Sequence, residues 1–109
     1  GRLAVDVHYN GLALDSAEGE RIAAAMAGAD VVFLANHGVI VCGTQLAHAF
    51  DDLYYLERAC QAQWLAEASG RRLAPVDAAL AAKVAAQTEG ERAQSELFFR
   101  ALGRLLPER

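Results

Sequence analysis

Two short apolar runs separated by one polar step constrain this chain more than any other feature. The runs are residues 31–35 and 39–42, and the step between them is Asn36, His37 and Gly38. Runs of four or five β-branched and aromatic residues are typical of strands buried on both faces. A histidine between two such strands is held by rigid neighbours, and Gly38 permits backbone angles that other residues avoid. His37 is therefore a candidate metal ligand, and a core histidine hydrogen-bonded to a carbonyl is the alternative left open.

The residues after this step extend the pattern. Asn-His-Gly is followed by three apolar residues, Cys42 and Gly43, and then by Thr44 and a helical segment containing Ala-Phe-Asp-Asp-Leu-Tyr-Tyr-Leu-Glu-Arg-Ala. In this order of strand, turn, strand and helix the sequence resembles the class II aldolase/adducin family. The resemblance covers about residues 9–73 and is densest at residues 30–66.

The resemblance implies a fold, a cofactor and one site residue. The fold is a class II aldolase-like three-layer α/β arrangement, and residues 1–109 would be the C-terminal part of that domain, with central strands and covering helices. The family's divalent metal, usually zinc, is bound by two histidines of an early His-x-His pair and by the histidine of Asn-His-Gly. Only the last of these has a counterpart here, at His37. The family's acidic catalytic residue has none.

The resemblance leaves three functional interpretations open. In the first, the chain is a fragment of a lyase or epimerase that acts through an enediolate on a small sugar phosphate or a related hydroxy or keto acid. Such enzymes form homo-tetramers. In the second, the chain is a non-catalytic, adducin-like binding module, and the retained His37 argues against it. In the third, the chain is a standalone interaction domain.

Length and composition narrow the class of protein. With 109 residues the chain forms at most one domain, and its start at Gly1 without a methionine suggests a fragment of a longer chain. A net charge of −4 with scattered basic residues argues against a nucleic-acid partner. No run approaches the 18 or so apolar residues that span a bilayer. Cys42 and Cys60 fit buried thiols in a reducing compartment, so the expected location is the cytoplasm.

Local signals place the remaining elements. Alternation over residues 3–8 predicts a strand that ends at an Asn10-Gly11 turn. Asp15 and Glu18 resemble a capping box at the start of a helix. The predicted helices are residues 16–27, ending before Gly28; 45–69, capped by Thr44; 75–88, anchored by Leu80 and Val84; and 91–106.

The long helix carries several further candidates. Its apolar stripe predicts that Phe50, Leu53 and Trp64 are buried, and Asp51 and Asp52 are expected on the opposite, solvated side. The remaining candidates are interpreted in turn: Tyr54 and Tyr55 either line a cleft or pack at the edge of the stripe, His48 is expected to be exposed, and His8 on the first strand is expected to be structural or at the surface.

Overall fold

The structure is a computed structural model that describes residues 3–8 and 14–107. The chain divides into two compact units, the sheet unit (residues 1–43) and the helical unit (residues 44–109). The described residues form a small sheet and four helices, which confirms the predicted mixed α/β fold. The elements are β1 (Leu3–Asp6), α1 (Ser16–Met26), β2 (Val31–Leu34), β3 (Gly38–Val41), α2 (Leu46–Ala68), α3 (Ala78–Gly90) and α4 (Arg92–Gly103).

The sheet unit combines a parallel and an antiparallel strand pair. The strand order is β1-β2-β3, with β1 parallel to β2 and β2 antiparallel to β3. Since parallel neighbours need a crossover connection, α1 lies between β1 and β2 in the chain and packs on both. The strand predicted at residues 3–8 ends at Asp6, and the Asn10-Gly11 turn lies outside the described residues.

One face of this sheet is buried and the other is not. The register pairs Ala4 with Val32 and Asp6 with Leu34, so these four side chains share the face that meets α1. Val32 is fully buried and Leu34 is 8% exposed. On the other face Leu3 and Val5 are exposed. In β2, Val31 and Phe33 lie on this second face and are only half-buried, and no residue of β3 is fully buried. The expectation that residues 31–35 and 39–42 are buried on both faces is therefore wrong.

Helix α1 begins and ends as its sequence predicts. The Asp15 carboxylate accepts a hydrogen bond from the Glu18 amide at 2.9 Å, which confirms the N-cap. At the other end Ala27 and Gly28 both have positive φ, 47° and 81°, so the helix stops at Met26. Gly28 is the residue that this left-handed backbone favours.

The helical unit is built on contact between α2 and α4. His48 lies beside Glu96 and Asp52 pairs with Arg92, so the two helices run antiparallel. An aromatic cluster joins the same helices, with ring centroids 5.3–6.1 Å apart. It consists of Phe50, Tyr54, Phe98 and Phe99.

The prediction that Asp51 and Asp52 lie on a solvated side is wrong. Asp51 is buried and accepts a hydrogen bond from the Ser95 hydroxyl at 2.8 Å, and Ser95 is buried too. Asp52 is half-buried and receives two hydrogen bonds from Arg92, at 2.6 and 3.0 Å. Helix α4 supplies partners that the sequence of α2 alone does not reveal.

The predicted apolar stripe of α2 is also only partly covered. Phe50 is half-buried, but Leu53 is 42% exposed and Trp64 is 69% exposed, which contradicts the prediction for both. Helix α4 meets α2 between residues 48 and 54, and Trp64 lies about 15 Å further along the helix axis. Every residue from 57 to 91 is exposed, including Leu80 and Val84, the expected anchors of α3.

The helix starts in this unit differ from the predicted ones. Residue Gln45, rather than Thr44, occupies the N-cap position of α2 and forms no side-chain cap. The third helix begins at Ala78 because the Asp77 carboxylate accepts from the Leu80 amide at 2.8 Å. It continues to Gly90, and the last helix ends at Gly103. Among the described residues, none of the helices combines the length and apolar content that crossing a bilayer requires.

Replacing Leu34 and Leu53 separately by alanine tests the assigned core. Leu34→Ala should lower the free energy of unfolding by about 2–5 kcal/mol, the range for a core leucine. Leu53→Ala should cost less than about 1 kcal/mol, because its side chain is already partly in water. Denaturant titration of both variants measures the difference, and equal losses would contradict the assignment.

The Ser95 hydroxyl provides a test of the polar helix contact. Ser95→Ala leaves the buried Asp51 carboxylate without this donor, so stability should fall by about 1–3 kcal/mol. Thr88→Ala is the matched control, because its hydroxyl donates to the Val84 carbonyl on an exposed helix surface. A loss no greater than that of the control would mean that the Asp51 contact contributes nothing measurable.

Candidate functional site

His37 lies in the short turn that joins β2 to β3. The His37 amide donates to the Leu34 carbonyl at 3.0 Å, and Gly38 then pairs with Leu34 in the antiparallel register. The Ala35 amide donates to the Asp6 carbonyl at 2.9 Å, which ties the start of the turn to β1. The backbone of the turn is therefore bonded on both sides of Asn36. The His37 residue itself is exposed.

The left-handed position of this turn is Asn36 and not Gly38. Asn36 has a φ of 57°, whereas Gly38 begins β3 and has no positive φ. A Cβ atom at Gly38 would meet nothing within 4 Å. The expected role of Gly38 in permitting unusual backbone angles is therefore wrong, and Asn36 takes it because asparagine tolerates this conformation better than most residues do.

Parallel pairing brings a second histidine to the same edge of the sheet. Asp6 and Leu34 are paired last residues of β1 and β2, so the chain leaves both strands at their common carboxyl edge. His8 follows β1 by two residues and is exposed, which agrees with the surface alternative of its prediction. His37 follows β2 by three residues. In open α/β sheets this edge is where ligands usually bind.

A buried carboxylate at this edge was missed by sequence reasoning. Asp6 is 4% exposed. Its Oδ1 accepts from the His8 amide at 2.9 Å, and its Oδ2 accepts from Arg21 Nη1 at 2.7 Å. The remaining Arg21 donors bind Glu18 at 2.8 and 2.6 Å. The sequence alone assigns no role to Asp6, and the signal available was the Glu18/Arg21 pair on the following helix.

The hydrogen bonds to Asp6 stabilise its charged form. The His8 amide, and then the Arg21 guanidinium, lower the pKa of Asp6 below its ordinary value of 3.8, although burial opposes them. The carboxylate is therefore ionised throughout the neutral range. It lies between a helix and the strand edge as a fixed negative charge.

The other candidates from the sequence belong to other parts of the chain. His48 is half-buried rather than exposed, and its Nε2 lies 3.4 Å from Glu96 Oε1. Tyr54 packs edge-on against Phe98, in agreement with the packing interpretation. Cys42 and Cys60 are free and exposed, so the expected burial of both thiols is wrong.

The described residues supply one predicted metal ligand and not a complete metal site. No group of three or more histidine, cysteine, aspartate or glutamate side chains in residues 3–8 and 14–107 could hold a metal ion. A catalytic zinc site uses three protein ligands. The described donor set therefore does not fit a whole metal centre.

Comparison with known families gives the turn its context. The model of the class II aldolase and adducin N-terminal domain matches residues 2–64, which include the sheet, the His37 turn and most of α2. The chain belongs to this family. The predicted resemblance is thereby confirmed, while α3 and α4 lie beyond the matched residues.

Two curated relatives agree with this assignment. A Pseudomonas aeruginosa protein provisionally named as an aldolase class 2 protein is 35% identical over 60% of this chain and 25% of its own length. A Caulobacter vibrioides protein with the same provisional name is 38% identical over 74% of this chain and 30% of its own length. The chain thus spans about a quarter to a third of these relatives. No solved structure matches it.

The lowered pKa of Asp6 predicts an acid-sensitive contribution to stability. Because the pKa is lower in the folded chain than in the unfolded one, the ionised carboxylate stabilises the fold above pH 3.8. This contribution is lost as the pH falls through the folded value. Asp6→Asn should flatten the acid limb of stability measured by denaturant titration. Glu20→Gln, which removes an exposed carboxylate of α1, should leave that limb steep.

Proposed function

We propose that this chain is part of a metal-dependent lyase or epimerase of the class II aldolase type. The reaction would proceed through an enediolate of a small sugar phosphate or of a related hydroxy or keto acid. Family membership supports the general class. The observation that carries the proposal is the exposed His37 on a turn whose backbone is bonded on both sides.

The proposed role of His37 is to provide one imidazole ligand to a divalent metal, zinc by resemblance to the family. The turn suits this role because bonds at Ala35 and His37 restrict the backbone while the residue remains accessible. A ligand on a short, bonded turn loses little conformational freedom when it binds. The other ligands would come from outside the described residues.

The same proposal extends to the assembly and location of the protein. We propose a homo-oligomer, a tetramer by resemblance to the family, that acts on a small-molecule substrate in the cytoplasm. Two free thiols, Cys42 and Cys60, are compatible with a reducing compartment. The alternative is an adducin-like binding module, because the matched family model covers adducin as well as the aldolases.

Replacing His37 distinguishes these functions. In the protein at its natural length, His37→Ala should weaken metal binding by more than about 100-fold. Loss of a side chain that only hydrogen-bonds to a ligand costs up to about 100-fold, and loss of the ligand itself should cost more. Turnover should be lost with the metal, and the melting temperature should stay nearly unchanged because the residue is exposed. Elemental analysis, activity assays and thermal unfolding on one preparation measure the three quantities.

His8→Ala is the matched control for this experiment. His8 is an exposed histidine of the same unit, and its contact with Asp6 uses the backbone amide, which the substitution keeps. The control should retain metal and activity. Unchanged metal content in His37→Ala would contradict the proposal, and absence of metal from the unmodified protein would favour the binding module.

Residues 1–109 alone provide a further check. With one ligand where a catalytic site needs three, this segment should bind zinc weakly and show no turnover. Tight binding of one zinc ion in calorimetry would require His8, His48, Cys42 or Cys60 as ligands. It would contradict the role derived from the family.

A further inference from the structure

Asp6 connects three separate segments of the sheet unit through three different oxygen atoms. Its carbonyl oxygen accepts from the Ala35 amide of the β2–β3 turn. Its Oδ1 accepts from the His8 amide, in the chain that leaves β1. Its Oδ2 accepts from Arg21 of α1. No distance among these exceeds 2.9 Å.

Burial alone does not explain an aspartate at this position. Asp6 shares the inward face with Ala4, Val32 and Leu34, where an apolar residue would fill the space at no charge-desolvation cost. A carboxylate offers something that an apolar residue cannot, because its two oxygens accept from a backbone amide and a guanidinium at the same time. Asparagine has one such oxygen and can keep only one of the two contacts.

Arg21 limits how far this carboxylate can move. Its guanidinium is held between Asp6 and Glu18, with three nitrogen atoms engaged. Such forked contacts fix direction as well as distance. Any displacement of Asp6 would break the contact with Arg21 and leave a buried charge, which is costly. The orientation of α1 is thereby linked to the edge that carries His8 and the His37 turn.

We propose that Asp6, oriented by Arg21, is a positioning residue that holds the chain after β1 and the His37 turn in one arrangement. Its effect on metal binding rests on the proposed function of His37. Its effect on the backbone does not, so the two can be measured separately.

Amide hydrogen exchange measures the backbone effect. Asp6→Asn should raise exchange at the Ala35 and His8 amides by more than about tenfold relative to Phe33 in the central strand. The exchange ratio is the exchange rate at Ala35 or His8 divided by the rate at Phe33. Taking this ratio cancels the effect of any general loss of stability. In the protein at its natural length, the same variant should weaken metal binding by about 10- to 100-fold.

Two control variants separate positioning from simple support. Glu18→Gln perturbs the other carboxylate bound to Arg21 and leaves the Asp6 contacts in place. The exchange ratio and the metal affinity should therefore stay within about threefold of the unmodified protein. Val32→Ala removes fully buried volume from the same sheet and should lower stability without changing the exchange ratio. If Asp6→Asn does not fold, Arg21→Lys replaces it, because a lysine ammonium does not reproduce the directed contact of the guanidinium with Asp6 Oδ2.

Each outcome decides a different proposal. An exchange ratio that stays constant in Asp6→Asn, or rises equally in Val32→Ala, overturns the positioning role. A raised ratio with unchanged metal affinity, when His37→Ala does lose metal, overturns the link to the His37 ligand. If His37→Ala keeps its metal, the proposed function fails and the exchange ratio alone decides the role of Asp6.

Discussion

The parallel pairing of β1 with β2 determines most of the sheet unit. Parallel strands cannot be joined by a tight turn, so the chain between them must cross over and return, and α1 forms in that connection. The helix then covers the face that contains Val32 and Leu34. The same pairing puts the ends of both strands at one edge, which is why residues far apart in sequence, His8 and His37, leave the sheet there.

The helical unit depends on a different kind of contact. Where α2 meets α4, the buried residues are Asp51 and Ser95, and the aromatic cluster around Phe50 packs beside them. A hydrogen bond between buried groups has directional requirements that apolar packing lacks. The helices are thus aligned by specific partners. Two side-chain pairs, His48 with Glu96 and Asp52 with Arg92, lie one turn apart along both helices and set their register.

The sequence predicted local structure better than contacts between elements. The two strands β2 and β3, the Asp15 cap and the end of α1 just before Gly28 depend on neighbouring residues, and all are confirmed. The roles of Asp6 and Asp51 depend on partners 15 and 44 residues away. Periodicity along one element assigns polar residues to solvent, because it carries no information about distant partners such as Arg21 and Ser95. The same limit explains Trp64, which fits an apolar stripe but has no described element packed over it.

The contact between Asp51 and Ser95 has an evolutionary consequence. Asp51 belongs to the segment that matches the family model, whereas Ser95 lies in a helix beyond it. Selection on the buried carboxylate should therefore act only in homologues that also possess the second helix. In such homologues the two positions should change together, since coupled substitution marks spatial contact. In homologues with a different continuation, position 51 should vary freely. Residues 51 and 95 therefore form one coupled pair rather than two independent positions.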